Sequence, residues 1–159
     1  MLFAILLSLT ACQSPTEKNS LTFYYIKNTE NSDGISDIIV PFFPNINNTS
    51  YDYAELLNLY FNGPTNYSCY SPFPASTTLE ELSVTQSKAK LTLSPQFATI
   101  SGVELTIACA CLTRTVIALT GVSSVQISVN GAQLCGEDSL TFNLKSFTYL
   151  DALPPDHIG

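Results

Sequence analysis

The stretch from Ser101 to Asn130 constrains the fold more than any other part of this chain. Ser101-Gly-Val-Glu104 is a capping-box sequence: the Ser101 hydroxyl is expected to accept from the third helical amide while Glu104 reaches back to the cap. Leu105, Ala108, Cys109, Leu112, Val116 and Leu119 recur at helical spacing and make one apolar face, and Gly121 stops the helix. Val122 to Asn130 then alternates. Val125, Ile127 and Val129 fall on one side, Gln126 and Ser128 on the other, which is the period of a half-buried strand. A helix of about five turns that feeds directly into a strand can return it beside an earlier one, so helix must be layered on sheet.

The earlier chain supplies the partners. Leu21 to Lys27 is rich in β-formers and predicts a strand. Asp33-Gly34 is a hairpin signal, and Asp37 to Phe43 is the expected return strand, in which Pro41 calls for an edge position or a strand end. Ser50 or Asp52 can cap a helix running to about Phe61, with Tyr53, Leu56, Leu57 and Tyr60 on its apolar face. Gly63-Pro64 ends it, with Gly63 expected in the left-handed conformation. A loop from Thr65 to Thr78 follows. Leu82 to Val84 and Ala89 to Leu93 then read as a hairpin around Gln86-Ser87-Lys88, and Leu140 to Leu144 reads as a last strand. The expected class is α+β: a small mixed β-sheet with two helices packed on one face.

The N-terminal residues carry a different message. An apolar run, Leu2 to Leu9, meets Thr10-Ala11-Cys12, the shape of a bacterial lipoprotein processing site. A twelve-residue helix spans roughly 18 Å, too short for ~30 Å of bilayer hydrocarbon. Met1–Cys12 therefore reads as a targeting segment, with Cys12 the expected site of lipidation. No Lys or Arg precedes Cys12, although export signals begin with positive charge, so a few further upstream residues are expected. Residues 13–20 read as a flexible tether, 21–145 as a single domain and 146–159 as a C-terminal tail. The expected location is the outer face of the cytoplasmic membrane of a Gram-positive bacterium, reached through lipidated Cys12.

The chain has a net charge of -7 with six Lys and Arg, and only 12% of its residues are charged. It has no electrostatic footprint for nucleic acid. Its surface must be built from Ser, Thr, Asn and Tyr, which suits contact with protein or carbohydrate. Beyond Cys12, the chain has Cys69, Cys109, Cys111 and Cys135. On a helix Cys109 and Cys111 diverge by roughly 200° and cannot bridge; a Cys69–Cys135 bond and buried thiols are the open alternatives. The Asn47, Asn48 and Asn66 sequons are read as chance.

Catalytic candidates are few. His157 is the only histidine and lies near the end, where a general base is poorly held. Cys109-Ala-Cys111 has no second knuckle for a structural metal, so neither metal nor cofactor is expected. Glu80-Glu81 and the Asp33/Asp37 pair fit solvated turns and strand ends better than a glycosidase pair. Tyr67, Tyr70 and Phe73, around loop 65–78, are the candidate partner surface.

Taken in order, Phe61-Asn62-Gly63-Pro64-Thr65, Leu82-Ser-Val84, Ala89-Lys-Leu91-Thr-Leu93-Ser94, Phe97 and Leu119-Thr-Gly121-Val122-Ser-Ser-Val125-Gln-Ile127 resemble the GerMN domain of bacterial sporulation and germination lipoproteins. The resemblance covers roughly two thirds of the chain beyond Cys12. It implies a module similar to the ring-building modules of secretion and sporulation complexes, acting outside the cytoplasmic membrane with no known catalytic residue set. A non-catalytic, lipid-anchored protein that assembles with an envelope partner or with itself is the first expectation. A cell-wall glycan or peptide binding module, or an exported glycan hydrolase using acidic residues, is the alternative. The chain departs from the namesake in having one copy of the domain rather than two, and in its cysteines.

Overall fold

Strands β1 (Phe23–Lys27) and β2 (Ile39–Phe42) pair antiparallel, Tyr25 opposite Val40 and Tyr24 opposite Pro41. The computed structural model describes residues 21–29, 38–46 and 51–147; the expected hairpin turn at Asp33-Gly34 lies outside them. β2 is an edge strand, where Pro41 costs no ladder bond. On the other side of β1 lies β3 (Cys69–Tyr70), a two-residue strand within the segment expected to be a loop. The second sheet holds β4 (Leu79–Val84), β5 (Lys88–Leu93), β6 (Ser124–Val129) and β7 (Ser139–Phe142) in that order. The pairs β4–β5 and β6–β7 are antiparallel, whereas β5 and β6 are parallel. This is the expected mixed sheet, and the N-terminal strands build a second, three-stranded one. The α+β class with two helices is what the chain adopts.

Helix α1 (Tyr53–Phe61) begins at Asp52, whose carboxylate accepts from the Glu55 amide while Glu55 accepts from the Asp52 amide, both at 2.8 Å. Leu57 and Tyr60 are buried, Leu56 is half-buried and Tyr53 is exposed. The inward stripe is thus narrower than the four-residue face predicted, because a nine-residue helix at the rim of the domain buries only one side. Gly63 follows with φ +87°, as expected for the residue beyond the cap.

Helix α2 (Gly102–Thr120) joins the parallel strands β5 and β6. Leu105, Ala108, Cys109, Leu112 and Val116 are buried as predicted; Leu119 is half-buried. The capping box is not formed, since Ser101 makes no side-chain cap bond. Gly102 enters at φ +58°, outside the helical region, so the first turn is irregular and the box cannot close. The Asp52–Glu55 box on α1 does close. Ala110, Cys111, Thr113 and Thr115 are also buried, so α2 has no broad solvent face in its middle. The cause is its position: one side contacts the four-stranded sheet, and Ala110 and Cys111 pack with Ile39, Tyr24 and Ile26 of the three-stranded sheet. By length and composition α2 could cross a membrane, but about half of it is buried inside the domain, as in a core helix.

One consequence is read at β1. β3 reaches only Ile26 and Lys27, leaving the upstream half of β1 without a strand on that side. Side chains complete the ladder. The Tyr24 amide donates to Thr115 Oγ1 at 2.9 Å, and the Tyr60 hydroxyl donates to the Tyr24 carbonyl at 2.7 Å. The Tyr25 hydroxyl donates to the Tyr60 carbonyl at 2.7 Å, tying α1 to the same strand. Thr115→Val keeps the shape but removes the acceptor, and it is expected to cost about 1–3 kcal/mol because a partly buried amide loses its partner. Thr115→Ser should retain most of that stability. Urea denaturation of the two variants checks this; equal stability of wild type and Thr115→Val would show that the bond contributes nothing.

Candidate functional site

The loop before β3 holds its backbone while presenting aromatic rings. Asn28 Nδ2 donates to the Tyr67 carbonyl at 3.0 Å, and the Asn28 amide donates to the Ser68 carbonyl at 2.9 Å. The Ser68 amide donates to Asn66 Oδ1 at 3.0 Å. On this frame Tyr67 is 93% exposed and Tyr70 45% exposed. Phe73, the third residue of the predicted surface, turns inward. Its ring meets those of Tyr60 at 5.1 Å, Phe61 at 4.9 Å and Phe97 at 6.2 Å, so it supports the loop from beneath. The Asn28 contribution was not legible in the sequence; an Asn closing a strand, followed much later by an Asn-x-Ser, was its only signal.

Glu80 and Glu81 sit on β4, the edge strand, at an irregularity where the register to β5 slips between Leu79 and Glu81. Both side chains are exposed, the environment of solvated carboxylates rather than of a paired acid and base. Asp33, Asp37, His157 and Cys12 lie outside the described residues. Among the described residues, no three His, Cys, Asp or Glu side chains gather in one place.

None of Cys69, Cys109, Cys111 and Cys135 is in a disulfide; the first three are buried and Cys135 is exposed. Burial pushes the Cys109 thiol up to about 12, with the neighbouring Cys135 adding to the shift. Burial also raises Cys69, against a smaller opposing hydrogen bond from Ser68. Both thiols therefore stay protonated near neutrality, and a protonated thiol is neither nucleophile nor metal ligand. Burial raises Tyr25 and Tyr60 as well, with Cys111 nearby contributing to both.

A cavity of about 500 Å³ opens beside the C-terminal end of α1, between Phe42, Asn45, Ile46, Tyr51, Leu59 and Asn62. Sequence reasoning did not find it. Apart from Phe23 its described walls come from one stretch of chain, residues 42–65, in which β2 and α1 carry the pattern and the segments flanking them have no apolar period to mark a cavity.

The family described as Germane: Sporulation and spore germination matches residues 22–135. The fold is similar to the first GerMN domain of the sporulation protein GerM from Bacillus subtilis, at 15% identity and a TM-score of 0.53, covering 71% of this chain and 85% of that one. It is also similar to the tandem GerMN domains of the same protein, at 23% identity and a TM-score of 0.53, covering 74% of this chain and 42% of that one. No curated protein matches the chain. The family match spans both helices, β1 to β6 and the Tyr67–Tyr70 loop, and on that match this chain belongs to the Germane (GerMN-domain) family of sporulation and spore germination proteins.

Proposed function

We propose that this chain is a lipid-anchored, non-catalytic protein of the cell envelope, held by an acylated Cys12 at the outer face of the cytoplasmic membrane, where its domain assembles with an envelope protein or with itself during sporulation, germination or a related process. The observation that carries this reading is the Tyr67–Tyr70 loop. A hydrogen-bonded backbone holding two exposed phenols loses little entropy on contact, and Tyr supplies apolar area with a polar tip. The Cys12 context supports the anchor: a thiol after Leu9-Thr10-Ala11 suits diacylation, and two chains give stable membrane attachment.

Expression in a Gram-positive host with radiolabelled palmitate tests the anchor. The wild type is expected to take up label and sediment with membranes, and Cys12→Ala to lose both. Photo-crosslinking from positions 67 and 70 in the anchored protein tests the surface. A discrete crosslinked species from each position is the expected result, and the species formed from position 70 should disappear with Tyr67→Ala. Unlabelled protein in the cytosol sinks the first half of the reading, and crosslinking no better than from exposed Val103 sinks the second.

A further inference from the structure

The cavity at the end of α1 has a chemistry of its own, separate from the tyrosine loop. None of its described lining residues is acidic or basic. An ion entering it would lose hydration without gaining a counter-charge. The α1 C-terminus lies at the rim, where Leu59, Asn62 and Gly63 line the opening, and a helix C-terminus carries partial negative charge. Anions are therefore disfavoured twice, and hydroxyl or amide donors are welcome.

The remaining lining is of two kinds. Phe23, Phe42, Ile46 and Leu59 give apolar walls, and Tyr51 adds a half-open aromatic ring. Asn45 and Asn62 provide two carboxamides that, like the Tyr51 hydroxyl, bond to no other group among the described residues. Each can both donate and accept. A volume of this order falls within the roughly 300–1,000 Å³ of small-ligand sites, which combine mostly apolar walls with a few converging polar groups.

We propose that this cavity binds a neutral N-acetylated sugar ring of a glycan chain. The apolar face of such a ring matches the aromatic and aliphatic walls. Its hydroxyls match the carboxamides and the helix end, and its acetamido group offers one methyl, one donor and one acceptor. The inference goes beyond assembly through Tyr67 and Tyr70 and does not depend on it.

Saturation-transfer NMR on the full chain, with the trisaccharide of N-acetylglucosamine as probe, tests it. Transfer to the acetyl methyl protons is expected, with a Kd on the order of 1 mM for a ligand of this size. Tyr51→Ala and Asn62→Ala are each expected to weaken binding about tenfold, with melting temperatures near wild type, while Tyr67→Ala leaves binding unchanged. Should Asn62→Ala disturb the helix end and lower the melting temperature, Tyr51→Ala alone carries the test. Absence of transfer at roughly ten times the expected Kd overturns the proposal. So does a folded Tyr51→Ala variant that binds as tightly as wild type, or equal binding of a sulfated oligosaccharide of the same length.

Discussion

Replacing Leu112 by alanine is expected to destabilise the domain by about 2–5 kcal/mol, the range for emptying a buried leucine site. Leu112 is fully buried in the middle of α2, within the cluster that joins both sheets and α1. Its neighbours cannot collapse readily into the space, because α2 is held from two sides by structure it did not create. Against a total stability of about 5–15 kcal/mol, such a loss lowers the melting temperature by many degrees. Val103 lies on the same helix and is 75% exposed, so Val103→Ala is the matched control with an expected cost near zero. Thermal melts of the two variants side by side decide the matter. If Leu112→Ala melts with the control, the buried face of α2 has been misplaced.

The second large effect is alkaline. In the folded state Cys109 titrates at about 12 instead of 9.0, and burial holds Tyr25 and Tyr60 above their ordinary value of 10.0. The unfolded chain releases these protons first, so between the unfolded and folded values the native state binds more protons than the unfolded state. Stability is then present in full below about pH 9 and falls as pH rises, by about 1.4 kcal/mol per pH unit for each group inside its window. The expected result is a domain whose urea midpoint holds up to about pH 9 and then drops with increasing slope as the tyrosines join the cysteine. Cys109→Ala should drop less steeply in the first part of that range. A midpoint that stays level well above that pH would mean that these side chains reach water in the native state.

Much of the scaffold was legible because its signals are local. Alternation at Val125, Ile127 and Val129, the Gly63-Pro64 stop and the β4–β5 hairpin each follow from a few adjacent residues. What was not legible depended on distant partners. The inward face of α1 was overestimated at Tyr53 and Leu56, because periodicity shows which residues share a face but not how much of it a neighbour covers. The Ser101 box failed on the conformation of one glycine, which no pattern of side chains reports. β3 is two residues long and carries no period at all; it exists because β1 offers it two places. At the tyrosine loop, Phe73 could not be told from Tyr67 and Tyr70, since all three are aromatics in a proline-containing segment. Only the ring cluster above Tyr60 separates the inward residue from the outward pair. The cavity was invisible for another reason: its lining is nearly all local, residues 42–65 with Phe23, but an empty space between a strand end and a helix end has no periodic signal.

The Tyr24–Thr115 bond also bears on the order in which the molecule can be completed. Its partners are 91 residues apart. A chain that emerges with its N-terminus first has β1, β2 and α1 in hand long before the segment that closes their open flank has appeared. Until then the Tyr24 amide is left to water and the aromatic side of the sheet lacks the cover of α2, and closing so long a loop is slow. The N-terminal sheet is therefore expected to be completed only after α2 has been made, and a product truncated before α2 is expected to be much less stable than the full domain.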